Sequence, residues 1–141
     1  VQTCALPIYS ISLKELYSEK NIFLNDLLVK NEFNLINIWA SWCAPCKAEH
    51  PYLINLNDKF DINLIGINYK DNLDNSKKFL SDLGNPYDEV LVDNDGTKSI
   101  ELGAIGVPET YLINSNKKII KKFIGPLDQE DYDNIINLIK K

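Results

Sequence analysis

The longest apolar stretch of the chain runs from Phe33 to Trp39 and is interrupted only by Asn34 and Asn37. Near-continuous apolar character over so short a run predicts a central strand buried on both faces. It stops abruptly at Ala40-Ser41-Trp42-Cys43. Beyond Pro45 the pattern changes period: Tyr52, Leu53, Leu56 and Phe60 form one stripe, which predicts a helix from Pro45 to about Phe60. Pro51 lies inside that helix and should kink it. Asn63–Tyr69 reads as a second strand. Phe79, Leu80 and Leu83 mark a helix that Asp74 caps and Gly84 ends, with Pro86 preventing its resumption. Glu89–Asp93 is a further strand, and Ser99–Leu102 a helical turn. Glu109–Asn114 and Lys118–Ile124 form a hairpin about Asn114-Ser115-Asn116. Asp128 caps a last helix with Tyr132, Ile135, Ile136 and Ile139 on one face. At the start, Ile8–Leu13 alternates enough to suggest an edge strand, and Asn25-Asp26 would cap a single turn carrying Leu27 and Leu28. No internal repeat or second domain is visible.

The chain has 141 residues, 45% hydrophobic and 25% charged, which fits one soluble globular domain with a real core. A net charge of −5 and a pI of about 4.8 exclude the basic face that nucleic acid requires. Lys117-Lys118 and Lys121-Lys122 read as the solvated side of the hairpin. The acidic turn Asp93-Asn94-Asp95-Gly96 lacks the glycine-then-glutamate spacing of a calcium loop. No apolar run approaches the length of a membrane span.

The chemistry sits where the central strand meets its helix. Cys43-Ala44-Pro45-Cys46 places two thiols two residues apart at a helix start, the arrangement of a redox dithiol. At a helix N-terminus the unpaired N–H groups and the macrodipole favour the thiolate of Cys43, which is the nucleophile. Pro45 suits the first turn, where its missing N–H removes nothing the helix uses. The same pair could be half a zinc site, but the remaining ligands are only Cys4 and His50, against the four a structural zinc needs. A haem-attachment site would carry His where Lys47 stands. An inert buried pair is the remaining alternative.

Around this pair, Trp39-Ala40-Ser41-Trp42-Cys43-Ala44-Pro45-Cys46 with Pro51 behind it resembles the thioredoxin superfamily. Ala48-Glu49-His50-Pro51-Tyr52-Leu53, Gly66-Ile67-Asn68-Tyr69-Lys70-Asp71, Leu83-Gly84-Asn85-Pro86-Tyr87 and Gly106-Val107-Pro108-Glu109-Thr110 follow in order. Together they resemble the thiol–disulfide interchange proteins of cytochrome c maturation, the CcmG or DsbE family, from about Leu13 to the C-terminus.

The resemblance implies a thioredoxin-like α/β fold, a central mixed sheet with helices on both faces, working without a cofactor or metal. It implies that Val107–Pro108 is a cis peptide opposite the cysteines, exposing the Val107 backbone to an extended substrate; the plainer alternative is that Pro108 starts an edge strand. Long-studied thioredoxins carry a buried acid where this chain has Asn37. A carboxylate that assists proton transfer must then come from Glu49 or Glu109, both acidic positions that the family keeps near its site. Trp42 would shield one flank of Cys43. Trp39 reads as core, and Tyr69 and Tyr111 as packing residues. The implied role is a periplasmic reductant of apocytochrome c, or of a cytochrome-maturation thiol protein, re-reduced by a membrane thiol reductase and tethered by an N-terminal helix outside this chain. A general reductant of the TlpA or ResA kind, a metallochaperone and a non-catalytic docking module with this fold are the alternatives.

One segment stands apart. Val1–Ile8 is the translation of GTTCAGACGTGTGCTCTTCCGATC, a string that resembles a sequencing-library adapter. On that reading residues 1–8 are non-native, Cys4 has no native role, and the domain spans 9–141. The rival reading is a genuine N-terminal lead into the first strand.

Overall fold

The computed structural model describes residues 5–29 and 32–140; Cys4 lies outside them. The elements in chain order are α1 (Ala5–Ser10), β1 (Ser12–Glu15), β2 (Asn21–Phe23), α2 (Leu24–Leu27), β3 (Phe33–Trp39) and α3 (Ala44–Lys59). They continue with β4 (Ile62–Tyr69), α4 (Leu73–Leu83), β5 (Glu89–Asp93), α5 (Thr97–Leu102), β6 (Glu109–Ile113), β7 (Ile119–Ile124) and α6 (Gln129–Ile139). The strands make one mixed sheet in the order β2-β1-β5-β4-β3-β6-β7. β3, β4 and β5 run parallel, and the outer pairings are antiparallel.

The alternation of side chains along each strand divides the core in two. Leu35, Leu64, Val90 and Leu112 pack with Leu53 and Leu56 of α3, Phe79 and Leu80 of α4, and Ile135 of α6. Ile36, Ile38, Ile65 and Ile67 point the other way, against Ile8 of α1, Leu24 of α2 and Leu102 of α5. Helices therefore cover both faces, which is why β3 and β4 read as nearly unbroken apolar runs. None of the helices in the described residues is long and apolar enough to cross a membrane.

Several element boundaries differ from the sequence reading. Ile8–Leu13 is not a strand: Ile8 and Ile11, three residues apart, are both buried, and the strand begins only at Ser12. Asn25 and Asp26 do not cap α2. Phe23 holds the cap position without a side-chain bond, and the Leu24 N–H is satisfied by Ile11 O across the chain at 2.9 Å. Nor does Asp74 cap α4; the Asn72 side chain accepts from the Asn75 N–H. Asp74 lies in the first turn, where a negative charge suits the dipole. Asp128 does cap α6, reciprocally with Asp131.

Candidate functional site: a disulfide at the head of α3

β3 ends at Trp39, and a tight turn delivers Cys43 to the N-cap of α3, its N–H bonded to Ala40 O at 3.3 Å. Cys43 and Cys46 are joined as a disulfide, with their Cα atoms 5.3 Å apart. The Cys46 N–H donates to Cys43 Sγ at 3.2 Å. The cap position is thus filled by a sulfur, and an orphan amide of the first turn points at it. Pro45 occupies the first turn beside it. Both cysteines are buried, Cys46 (2% exposed) more deeply than Cys43 (5%).

The turn is held from outside by the loop after β4. The Asp71 carboxylate accepts the Ser41 N–H at 2.6 Å and the Ser41 hydroxyl at 2.7 Å. It also accepts the Asn68 side-chain amide at 2.9 Å and the Asn72 N–H at 2.8 Å. The exposed Trp42 is anchored at its edge, its Nε1–H donating to Lys70 O at 2.9 Å. Both residues that precede Cys43 are therefore clamped by Lys70-Asp71.

Glu49 lies one turn beyond Cys46 on α3 and is fully buried. Its Oε2 accepts from Asn37 Nδ2 at 2.8 Å, and its Oε1 from the Leu127 N–H at 3.0 Å. Burial raises its carboxyl to about pKa 7, and those two hydrogen bonds pull back against the rise. The acid that thioredoxins carry on the strand is here replaced by an amide that hydrogen-bonds an acid supplied by the helix. His50, next along, is buried and donates through Nε2 to Gly84 O at 2.8 Å; burial lowers its pKa.

Val107–Pro108 is cis. Glu109, next to it, is buried too, but on the opposite face of the sheet from Glu49. It pairs in register with Ile38, whereas Asn37 pairs with Thr110. Its carboxylate accepts from the N–H groups of Ile105 (2.8 Å) and Gly106 (3.2 Å) and from the Tyr111 hydroxyl (3.1 Å). Lys122 lies 3.4 Å away, so it is not simply a solvated lysine of the hairpin. Glu109 ties together the loop that leads to Pro108. Asp71, Tyr87 and Thr110 are polar groups here that sequence reasoning did not single out individually, although all three fall within motifs that carried the resemblance.

A Cys-x-x-Cys disulfide at the head of the helix after the central strand, with a cis-proline loop beside β6, defines a thioredoxin-fold thiol–disulfide oxidoreductase. The redoxin family matches residues 5–136, and the chain belongs to that family, among its thiol:disulfide interchange proteins. It is 43% identical over 103 residues to the thiol:disulfide interchange protein CycY of Rhizobium leguminosarum bv. viciae, covering 73% of this chain and 55% of that one. It is 38% identical over 124 residues to DsbE of Haemophilus influenzae, covering 88% of this chain and 67% of that one. This chain thus spans about half to two thirds of the length of these relatives. The fold is also that of a secreted thiol-disulfide isomerase from Corynebacterium glutamicum (TM-score 0.78, 23% identity, 93% of this chain and 84% of that one). A DsbF homologue from Corynebacterium diphtheriae shares it (TM-score 0.78, 24% identity, 94% and 85%).

Proposed function

We propose that this protein acts in the periplasm as a reductant of the haem-attachment cysteines of apocytochrome c, or of a partner thiol protein in cytochrome c biogenesis. The observation that carries the reading is the Cys43–Cys46 pair at the α3 N-cap with a buried acid one turn behind it. In the reduced protein the Cys43 thiolate attacks one sulfur of a target disulfide, and the other target sulfur leaves as a thiolate. A mixed disulfide now joins Cys43 to the target. Cys46 loses its proton to Glu49 and attacks Cys43 Sγ, releasing the second target thiolate and forming the Cys43–Cys46 disulfide. A carboxyl titrating near neutrality suits that proton transfer. The backbone at Val107 would pair with an extended target segment, and Trp42 would flank the attacked sulfur. A membrane thiol reductase returns the dithiol, and a membrane anchor preceding this chain keeps the two together. The family membership, and relatives named as thiol:disulfide interchange proteins, support this assignment.

The test is exchange by two single variants. Cys43→Ala should abolish exchange, whereas Cys46→Ala should accumulate a mixed disulfide seen as a mass adduct on Cys43. Residual turnover by Cys43→Ala would mean that the nucleophile is wrongly assigned.

A further inference from the structure

Asn37 has both side-chain N–H donors and its side-chain oxygen engaged. Nδ2 donates to Glu49 Oε2 at 2.8 Å and to Thr110 Oγ1 at 3.1 Å, while Oδ1 accepts from the Tyr87 hydroxyl at 2.7 Å. Asn37 and Thr110 are fully buried, and Tyr87 is nearly so. Tyr87 lies just before β5, and β4 separates β5 from β3 in the sheet. The phenol can cross β4 only because of Gly66, which pairs with Asn37 on one side and Val90 on the other. A Cβ on Gly66 would lie 2.8 Å from Tyr87 ring carbons and 2.9 Å from Trp39 Nε1. The ring of Tyr87 is stacked on Trp39, centroids 5.7 Å apart, which aims its hydroxyl at Asn37.

We propose that Tyr87 and Asn37 are positioning residues for Glu49: the Tyr87 hydroxyl holds the Asn37 amide so that its N–H, and not its oxygen, meets the Glu49 carboxyl, with Gly66 as the gap that admits the phenol. The proposal rests on the reading of Glu49 as the proton acceptor for Cys46. An amide can meet a carboxyl in two ways. Its N–H serves a carboxylate; its oxygen serves a protonated acid. With Oδ1 taken by Tyr87, the first arrangement is selected and the ionised acid is favoured. Without the hydroxyl, Oδ1 is satisfied by turning to a protonated Glu49 and to the Thr110 hydroxyl, so the neutral acid gains. Of the groups around Glu49, Tyr87 titrates far above neutrality because of burial and the nearby Glu49 charge. His50 turns away to Gly84, Cys46 is tied up in the disulfide, and Asn37, Thr110 and the Leu127 N–H carry no charge.

The test follows the Glu49 side-chain carboxyl carbon by NMR against pH in the oxidised protein, where no thiol of the pair titrates. Tyr87→Phe should raise the Glu49 midpoint by about half a pH unit, roughly threefold in ionisation constant. Asn37→Asp places a second carboxyl against Glu49, and the last proton of the coupled pair should leave more than about one unit above the parent midpoint. A purely structural role would lower the melting temperature of Tyr87→Phe and leave its Glu49 midpoint where it was, which would overturn the proposal; the Asn37→Asp shift serves to confirm that the observed carbon is the carboxyl facing position 37. If the midpoints move but the pH profile of the Cys46 step in exchange does not follow them, positioning stands and Glu49 is not the proton acceptor.

Discussion

Asn37 on β3 donates its side-chain N–H to the Glu49 carboxyl of α3 at 2.8 Å, inside the core. The buried acid beside β3 thus comes from the helix, and the strand supplies the amide that meets it. Glu49 titrates at about 7 against 4.5 in a free side chain. Between those values the folded protein binds more protons than the unfolded chain. Stability must therefore fall as pH rises from about 4.5 to 7. On this group alone the loss approaches roughly 3 kcal/mol. Urea unfolding of the oxidised protein at several pH values should show this slope, and Glu49→Gln should flatten it.

Asp71 gathers four donors from the active-site turn, from β4 and from its own loop. Asp71→Ala leaves the Ser41 N–H and the Asn68 amide without their acceptor, a loss of about 2–3 kcal/mol for bonds to a charged group. Because Ser41 and Asp71 act as one unit, Ser41→Ala should cost less in the Asp71→Ala background than alone. A double-mutant cycle by chemical denaturation checks this, and strict additivity would contradict the clamp.

Gly66→Ala drives a methyl group into the rings of Tyr87 and Trp39. Overpacking of a close-packed core costs about 1–3 kcal/mol, so the melting temperature should drop by several degrees. Near-UV circular dichroism should change with it, because the Trp39–Tyr87 stack lies at the point of contact.

Lys122 lies 3.4 Å from Glu109 and donates to Gly103 O at 2.7 Å. Lys122→Ala leaves the buried Glu109 carboxylate without its cation, though still held by two backbone N–H groups and Tyr111. A partly exposed lysine limits the electrostatic cost to about 1 kcal/mol. Hydrogen exchange at the Ile105 and Gly106 amides should speed up more than in the strands of the sheet.

Much of this architecture is legible in the sequence. The apolar run Phe33–Trp39, the Cys43–Cys46 spacing, the hairpin and the Asp128 cap all declare themselves locally, because each rests on periodicity or on neighbours within a turn. Ile8 misled because its spacing to Ile11 is helical while its neighbourhood also alternates. Asn72 lost to Asp74 because both residue types cap helices and they stand two apart. Tyr87 and Asp71 lie within stretches that carried the family resemblance, but nothing in their local pattern shows what they bind. They act on residues 50 and 30 positions away, and only the order of strands in the sheet brings them there. The separation of Glu49 from Glu109 is a matter of register: a shift of one residue in the pairing of β6 with β3 would have put Glu109 opposite Asn37.

The most direct test of the account is covalent capture. Cys46→Ser protein is offered, separately, an oxidised peptide containing Cys-x-x-Cys-His and oxidised insulin, and the adduct on Cys43 is quantified by mass spectrometry. A reductant dedicated to cytochrome c maturation captures the peptide in clear preference to insulin. Equal capture of both would contradict that specialisation. Capture of neither, with Cys43 still open to alkylation, would contradict the account as a whole.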